Sequence, residues 1–555
     1  MAVLTDKTYF NRDSADVGAS PFGIFVNQAG YLPRSSKIVA IPFECDSFEV
    51  VNEKGEAVFG GKTVSRGFDK DSGDSLRTGD FSQLEESGRY RISAGGKVSA
   101  VFEISDKAYN NPLRDMLRAF YFLRCGSGLE EKHAGVYKHA PCHNGTAIFW
   151  EDRSVTAEVS GGWHDAGDYG RYVTAGACAL AHLFYAHLTF PELEKLEMNI
   201  PESGNGTPDI LNECRWELEW ILKMQREDGG VYHKVTTAMH APFVMPEEDN
   251  EQLWLFAVSS MAVADTAAIC ALASRIYMPY DKEFSERLYN AALLSYKWLD
   301  ENPDFVPFSN PEGCNTGGYG EWEDRSNRFW AAAEMFVLTG NEKYHEDFKR
   351  LFSESFNRTG LGYGDVGGLA SLAYLRFAEN ADESLKTILK TDFINESKRL
   401  KAVADESGYG VAMSEMNYHW GSNMDAMKHG MIFIIADIIT GGKEYAPYIQ
   451  RLADYLMGYN ALGISYVTGT GEYRCNYPHL RPAHADGIEE CIPGMVSGGP
   501  NRTPNDPDAK ALVPEGTPPM KCFADDVGCY SLNEITIYWN SPAVFVFAWL
   551  FSGLN

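Results

Sequence analysis

Asp106-Lys107-Ala108-Tyr109-Asn110-Asn111-Pro112 is the stretch at which the chain changes texture, and its two sides decide the fold. Upstream, between Gly23 and Ile104, short apolar runs such as Ile24-Phe25-Val26, Lys37-Ile38-Val39-Ala40-Ile41 and Tyr90-Arg91-Ile92 alternate with turn signals at Gly30, Pro33, Gly55, Gly60-Gly61 and Gly95-Gly96. That spacing predicts a small antiparallel β-sandwich. Downstream, apolar residues recur at helical spacing. The predicted helices cover approximately 111–124, 170–187, 207–226, 252–276, 281–301, 327–338, 342–357, 367–378, 381–403, 419–439, 444–458 and 541–552. Such a set forms six pairs, and a toroid of six inner and six outer helices, an (α/α)6 barrel, buries them all. An open helical solenoid would show a repeat of about 20–50 residues, and no such self-similarity is present. The expected domains are an N-terminal extension (1–20), a β-sandwich (21–106) and a mainly α-helical barrel (107–555).

The 555 residues include 77 acidic and 49 basic side chains, a net charge of −28. Over most of its surface such a chain repels phosphate backbones and anionic lipid, which makes nucleic acid and membrane poor candidates for the partner. The most apolar long stretch, Leu253 to Tyr277, is interrupted by Asp265 and reads as a buried helix. No basic region followed by an apolar run opens the sequence, so the expected location is cytoplasmic as the sequence stands, or secreted if a leader is missing from it. Eleven cysteines, an odd number scattered through a large chain, read as reduced core thiols with a few available for metal.

Three constellations carry chemistry. Gly161-Gly162-Trp163-His164-Asp165-Ala166-Gly167-Asp168-Tyr169 sets two carboxylates three residues apart before a predicted helix. The sequence leaves open whether Asp168 caps that helix or serves as a reacting carboxylate. Hydrolysis of a glycosidic bond needs a second, protonated carboxyl group. Glu534, flanked by Leu532, Ile535 and Ile537, is in surroundings that raise a carboxyl pKa, although a partnered structural glutamate fits the same pattern. Cys125, Cys142, His143 and His164 offer two thiolates and two imidazoles, a complete tetrahedral zinc set that would pin its loop and leave no open position for catalysis. Tyr477-Pro478-His479-Leu480-Arg481-Pro482 directs a histidine and an arginine the same way, suited to sugar hydroxyls or to a basic surface patch. Trp163, Tyr169, Trp420, Tyr530 and Trp539 are aromatic candidates for stacking on sugar rings.

Taken in order, these segments resemble glycoside hydrolase family 9, the inverting β-1,4-glucanases. Gly162 to Asp168 resembles the family's G-W-x-D-A-G-D element, Trp420-Gly421-Ser422-Asn423 its W-G-S-N helix start, and Asn533-Glu534-Ile535-Thr536-Ile537 its N-E-V-A-I element. Asn460 to Gly469 and Pro478 to Pro482 resemble N-A-L-G-x-S-[FY]-V-T-G and P-H-x-R-P. Ile24 to Pro33 resembles the opening strand of the immunoglobulin-like module of one subgroup, whose members hold a structural zinc on two Cys and two His. The resemblance implies Asp168 as the general base that activates water, Asp165 as helping to hold that water and Glu534 as general acid. It implies sugar contacts from His479, Arg481, Trp420, Trp539 and Tyr530, and zinc on Cys125, Cys142, His143 and His164. Base and acid of an inverting pair are expected about 6.5–9.5 Å apart. Calcium is a second metal the resemblance raises, yet the D-E-x-x-W pattern is replaced by Ser326-Asn327-Arg328-Phe329-Trp330, leaving Glu321, Glu323 and Asp324 as its candidate ligands.

The expected partner is therefore a β-1,4-linked oligo- or polysaccharide, cleaved by an endoglucanase. The rivals are an exo-acting enzyme on cellodextrin or glucosamine oligomers and a non-catalytic sugar-binding relative. A zinc peptidase is disfavoured because the metal set is closed and no H-E-x-x-H helix is present. Oligomeric state has no signature in the sequence.

Overall fold

A computed structural model describes residues 20–553. The expected N-terminal extension, residues 1–20, lies outside the described residues apart from Ser20. The chain packs as two compact units, one comprising the residues up to Ala119 and from Ser397 onward, the other Phe120–Glu396.

The first unit opens with seven strands: β1 (Ile38–Ile41), β2 (Ser47–Asn52), β3 (Ala57–Asp69), β4 (Asp74–Asp80), β5 (Gly88–Ala94), β6 (Lys97–Val98) and β7 (Phe102–Ile104). They hydrogen-bond in the order β1-β4-β3-β2-β5-β6, with β7 also on β5, and every pair is antiparallel. The long β3 belongs to both layers: Ala57–Lys62 pairs with β2, Thr63–Asp69 pairs with β4, and the register shifts between Ser65 and Gly67. Such a bulge lets one strand turn from layer to layer. Val39, Ile41, Val50, Ile92 and Phe102, with Tyr31 edge-on to Phe81, fill the space between them.

Twelve helices of eleven or more residues occur among the described residues: α1 (Asn110–Phe122), α2 (Val173–Thr189), α3 (Asp209–Met224), α4 (Ser260–Tyr277), α5 (Lys282–Glu301), α6 (Arg325–Thr339), α7 (Glu342–Phe352), α8 (Gly367–Phe377), α9 (Glu383–Glu406), α10 (Ser422–Thr440), α11 (Ala446–Leu456) and α12 (Ile537–Phe551). Their burial alternates. α2, α4 and α12 are enclosed nearly all round, whereas α3, α5 and α7 bury one face. Alternation of enclosed and amphipathic helices is what paired inner and outer helices require. In the second unit α4 packs on α2, α5 and α6, and α6 packs on α7 and α8. In the first unit α10 packs on α11 and α12. The α10 and α12 backbones approach at Gly430, where a Cβ would stand 2.8 Å from a methyl of Val546.

Two predicted helix starts are corrected. The apolar run from 252 begins with a strand, β12 (Trp254–Leu255), and the helix starts at Ser260, where the Ser259 hydroxyl accepts from the Ala262 amide. The last helix starts at Ile537 instead of 541, because Thr536 caps it and Pro542 is tolerated inside its second turn. Strand β12 belongs to a small sheet in the second unit that the sequence reading did not contain. Its order is β10 (Arg171–Tyr172), β11 (Lys234–Thr236), β12, β8 (Ala147–Phe149), β9 (Thr156–Ala157). The sheet ties the loop 125–169 to the segment after α3. All eleven cysteines are free thiols, and ten of them are buried. No described helix is long and apolar enough to cross a membrane.

Candidate active site and metal centre

In the second unit the turn Gly161–Tyr169 is braced from behind. The Arg124 and Trp163 backbones bridge, the Cys125 amide donates to Gly162 O at 2.8 Å, and the His164 amide donates to Leu123 O at 2.7 Å. The buried Trp163 donates its indole N–H to Glu213 and its amide to Glu217, at 2.9 and 2.6 Å. Gly162 has φ +76°, and a Cβ there would stand 2.8 Å from the Trp220 ring. Only glycine satisfies both demands.

The two aspartates this turn presents differ in surroundings. Asp165 is fully buried. One of its oxygens accepts the Tyr319 hydroxyl and the other, Oδ1, has no hydrogen-bond partner. Burial pushes its carboxyl well above the usual range, the Tyr319 bond pulls it down, and the Asp168 charge pushes it up again. Asp168 keeps a 7% exposed side chain whose Oδ2 lies 2.9 Å from Nδ1 of His240. It does not cap α2, whose N-cap is Tyr172 without a side-chain bond, so the capping reading fails. One buried carboxyl pushed upward beside one held by a histidine is a division suited to acid-base work.

Cys125, Cys142, His143 and His164 are all buried, and one ligand atom from each lies within 4.8 Å of all the others. Their chemistry fits a metal ion. His143 Nε2 is 3.1 Å from Asp249 Oδ2, and its Nδ1 is buried without a hydrogen bond, which leaves a lone pair for an ion. A carboxylate on the outer nitrogen is the usual orienting partner of a ligating histidine. Tyr169 packs against the rings of His143 and His164, at 5.2 and 4.9 Å, and donates its hydroxyl to Val244 O. The cluster therefore abuts the residue that follows Asp168.

The calcium expectation is not supported in this form. Glu323 pairs with Arg325, and Asp324 with Arg328 at 2.8 Å. Glu321 faces the Asn327 amide at 3.4 Å, and that amide also donates to Asp265. Burial, with Asp265 next, pushes Glu321 up to about 9. Two of the three candidate oxygen ligands are thus engaged by arginines. Among the described residues, the Cys/His cluster is the one convergent set of three or more such ligands.

The remaining candidates lie in the first unit, where most of them gather. Glu534 is half-buried just after the short helix Tyr530–Asn533, and its carbonyl accepts the Gly498 amide at 2.8 Å. Asn533 ties the neighbouring loop to it. Its Oδ1 accepts the His479 amide at 3.2 Å, and its Nδ2 donates to Tyr477 O and Asp526 O at 2.8 and 2.9 Å. His479 Nδ1 faces Val527 O at 2.6 Å, so that nitrogen carries the proton. Asp525 accepts the amides of Asn476 and Tyr477 at 2.8 and 3.0 Å. The Tyr530 ring lies 5.7 Å from His479 and 5.4 Å from Trp420. Arg481 begins the short helix Arg481–Ala485 and is buried. Trp420 is 41% exposed and offers a face. Trp539 does not. At 4% exposure its ring lies against Gly421 and Gly498, where added Cβ atoms would stand 2.8 and 2.9 Å from it. The expectation of a stacking surface there is corrected to that of a supporting wall.

Sequence reading missed His240, Tyr319, Asp249 and Asp525. His240 and Tyr319 reach the aspartates, Asp249 reaches His143, and Asp525 reaches the Asn476–Tyr477 backbone, each without a spacing signature.

The comparisons agree along the length of the chain. The sequence profile described as Glycosyl hydrolase family 9 matches residues 109–547, and that described as Cellulase N-terminal ig-like domain matches residues 21–99. A cellodextrinase of Butyrivibrio fibrisolvens is 45% identical over 94% of this chain and 98% of its own length. Endoglucanase D of Acetivibrio thermocellus is 32% identical over 95% of this chain and 83% of its own. Among solved structures, a single mutant of a thermostable endoglucanase from Alicyclobacillus acidocaldarius superposes with a TM-score of 0.90 at 36% identity, covering 96% of this chain and all of that one. A Zn-binding triple mutant of a family 9 endoglucanase superposes with a TM-score of 0.88 at 33% identity, over 94% of this chain and 99% of that one. The likeness shows the fold class, an immunoglobulin-like sandwich followed by a helical (α/α)6-barrel domain.

Proposed function

We propose, from the premise that the chain belongs to glycosyl hydrolase family 9, that it cleaves β-1,4-glucosidic bonds of cello-oligosaccharides with inversion, using Asp168 as base and Glu534 as acid. Glycoside hydrolysis of β-1,4-glucans is the activity of the chain. The roles of individual residues are the proposal. The observation that carries it is the braced turn, which presents Asp165 buried under the Tyr319 hydroxyl and Asp168 held by His240. Asp168 takes a proton from water as the water attacks the anomeric carbon. Asp165 steadies that water, and Glu534 gives its proton to the departing oxygen. His479 and Arg481 bind the sugar at the cleaved bond, and Trp420 and Tyr530 supply aromatic contact. Zinc suits the closed Cys2His2 set, where it would pin the loop 125–169 and take no part in the chemistry.

The full-length likeness to a cellodextrinase favours short, soluble chains as substrate, and exo action is the rival of the endoglucanase reading. Proton NMR of cellopentaose cleavage tests both points. Inversion releases the α-anomer first, and an initial β-anomer would overturn it. One terminal unit released per event marks exo action, whereas internal cuts mark an endoglucanase. Glu534→Gln and Asp168→Asn should each lower kcat by about 10²–10⁴-fold, the range of general acid-base catalysis.

A further inference from the structure

We infer that His240 is the positioning residue of the base: its Nδ1–H holds Oδ2 of Asp168 and so fixes the rotation of the carboxylate that takes the proton from water. The inference rests on the reading of Asp168 as base. The ring nitrogen stands 2.9 Å from Oδ2. A carboxylate accepts only, so the nitrogen facing it donates. A short hydrogen bond of this kind restricts the carboxyl torsion, which matters because the base must meet water within hydrogen-bond reach.

The segment bearing His240 is built to hold it there. The Thr237 hydroxyl donates to Met239 O at 2.6 Å, and the Asn315 amide donates to Ala238 O at 2.9 Å. Further on, Val244 O accepts the hydroxyl of Tyr169, the neighbour of Asp168. Asp249 then closes the segment onto His143 of the metal cluster. The segment is therefore tied before His240 to the Asn315 loop and after it to Tyr169 and the metal cluster, and His240 lies between these ties with a 43% exposed side chain.

Other titratable groups near Asp168 are Asp165, Lys234 and Tyr172. Asp165 is fully buried, accepts the Tyr319 hydroxyl and carries no donor to Asp168 among the bonds of its carboxylate. Lys234 on β11 is within electrostatic reach, but its ammonium is bound to Asn310, Thr316 and Gly317 at 2.7–2.9 Å. Tyr172 on β10 is a phenol pushed well above its usual pKa by burial and by both aspartates. Removing His240 withdraws a donor that favours the ionised base, so the acidic limb of the rate profile must move to higher pH.

The test is steady-state hydrolysis of cellopentaose across the acid-to-neutral range by His240→Ala, His240→Asn, His240→Gln and Asp168→Asn, with melting temperatures for each. The asparagine amide nitrogen takes the place of Nδ1, whereas that of glutamine reaches further out. His240→Ala should lower kcat roughly tenfold or more, within the ~10²–10⁴-fold a general base supplies, leave KM nearly unchanged and shift the acidic limb upward. His240→Asn should restore most of kcat and the limb, and His240→Gln should not. A loss confined to KM, or an alanine variant with the parent's kcat and limb, overturns the inference. If the alanine variant does not fold, equal kcat and limb for the asparagine and glutamine variants overturns it. An active Asp168→Asn enzyme would instead remove the base assignment itself.

Discussion

Asp165 and Asp168 are separated by two residues of one turn, and their protonation is decided by where that turn puts them. Asp165 is buried with one oxygen unpartnered, so its neutral form is favoured in the folded chain. The sign of the consequence is fixed by linkage. Between the unfolded carboxylate value, about 3.9, and the raised folded one, the folded state binds more protons than the unfolded. Stability is therefore full below that window and falls as pH rises through it. Asp165→Asn has no proton to lose. The stability of the variant relative to the parent should rise with pH across the window, by up to about 1.4 kcal/mol per pH unit, on top of a constant offset from the altered hydrogen bonds. Urea denaturation at several pH values measures this difference. A difference independent of pH would show that Asp165 is ionised in the folded chain. The same variant should lose activity, since a carboxyl group placed at a cost in stability is placed for function.

At the scale of elements, the metal cluster and the turn are one piece of construction. Cys125 follows α1, Cys142 and His143 lie in the loop, and His164 sits inside the turn. An ion bound there closes the loop at both ends, so chelation or Cys142→Ala should lower the melting temperature and expose residues 125–160 to proteolysis. The folded fraction should keep its turnover. A prompt loss of activity at unchanged melting temperature and proteolytic resistance would contradict a structural role. This cluster and the Asp165–Asp168 turn were legible in the sequence because their ligands are coded by residue type within one segment. The long helices were legible because periodicity of 3.6 accumulates over eleven or more residues. The strands of the β10-β11-β12-β8-β9 sheet were not, since two or three residues carry no period and their pairing is decided by tertiary contact. His240 and Tyr319 were hidden for a related reason: each is an ordinary loop residue until the fold brings it to an aspartate. Trp539 was misread because a motif reports neighbours in sequence and says nothing of which face of a ring two glycine turns will cover.

On the scale of the whole molecule, the sandwich is joined to the residues from Ser397 onward by buried and part-buried polar contacts. Asn27 Nδ2 donates to the buried Asp454 at 2.8 Å. Gln28 donates to Gly463 O and Tyr473 O and accepts the Tyr473 amide, at 2.8–3.0 Å. Asp69 accepts the Gly408 amide at 2.6 Å, and Asp74 takes Tyr409 and Lys521 at 3.1 and 2.6 Å. Each buried group stripped of its partner costs about 1–3 kcal/mol, and several together approach the ~5–15 kcal/mol that holds a typical domain folded. A chain starting at residue 107 should therefore melt far below the parent or fail to accumulate in soluble form, even though the sandwich contributes none of the proposed catalytic side chains. Asn27→Ala separates the polar joint from the apolar area lost with the whole domain: it leaves Asp454 with Gln450 and Arg451 alone and should cost about 1–3 kcal/mol by itself. Thermal melts of the truncated chain and of the point variant, read with cellopentaose turnover, check the two together. If the shortened chain melted with the parent and kept its activity, the sandwich would be an independent appendage and these contacts would carry no stability.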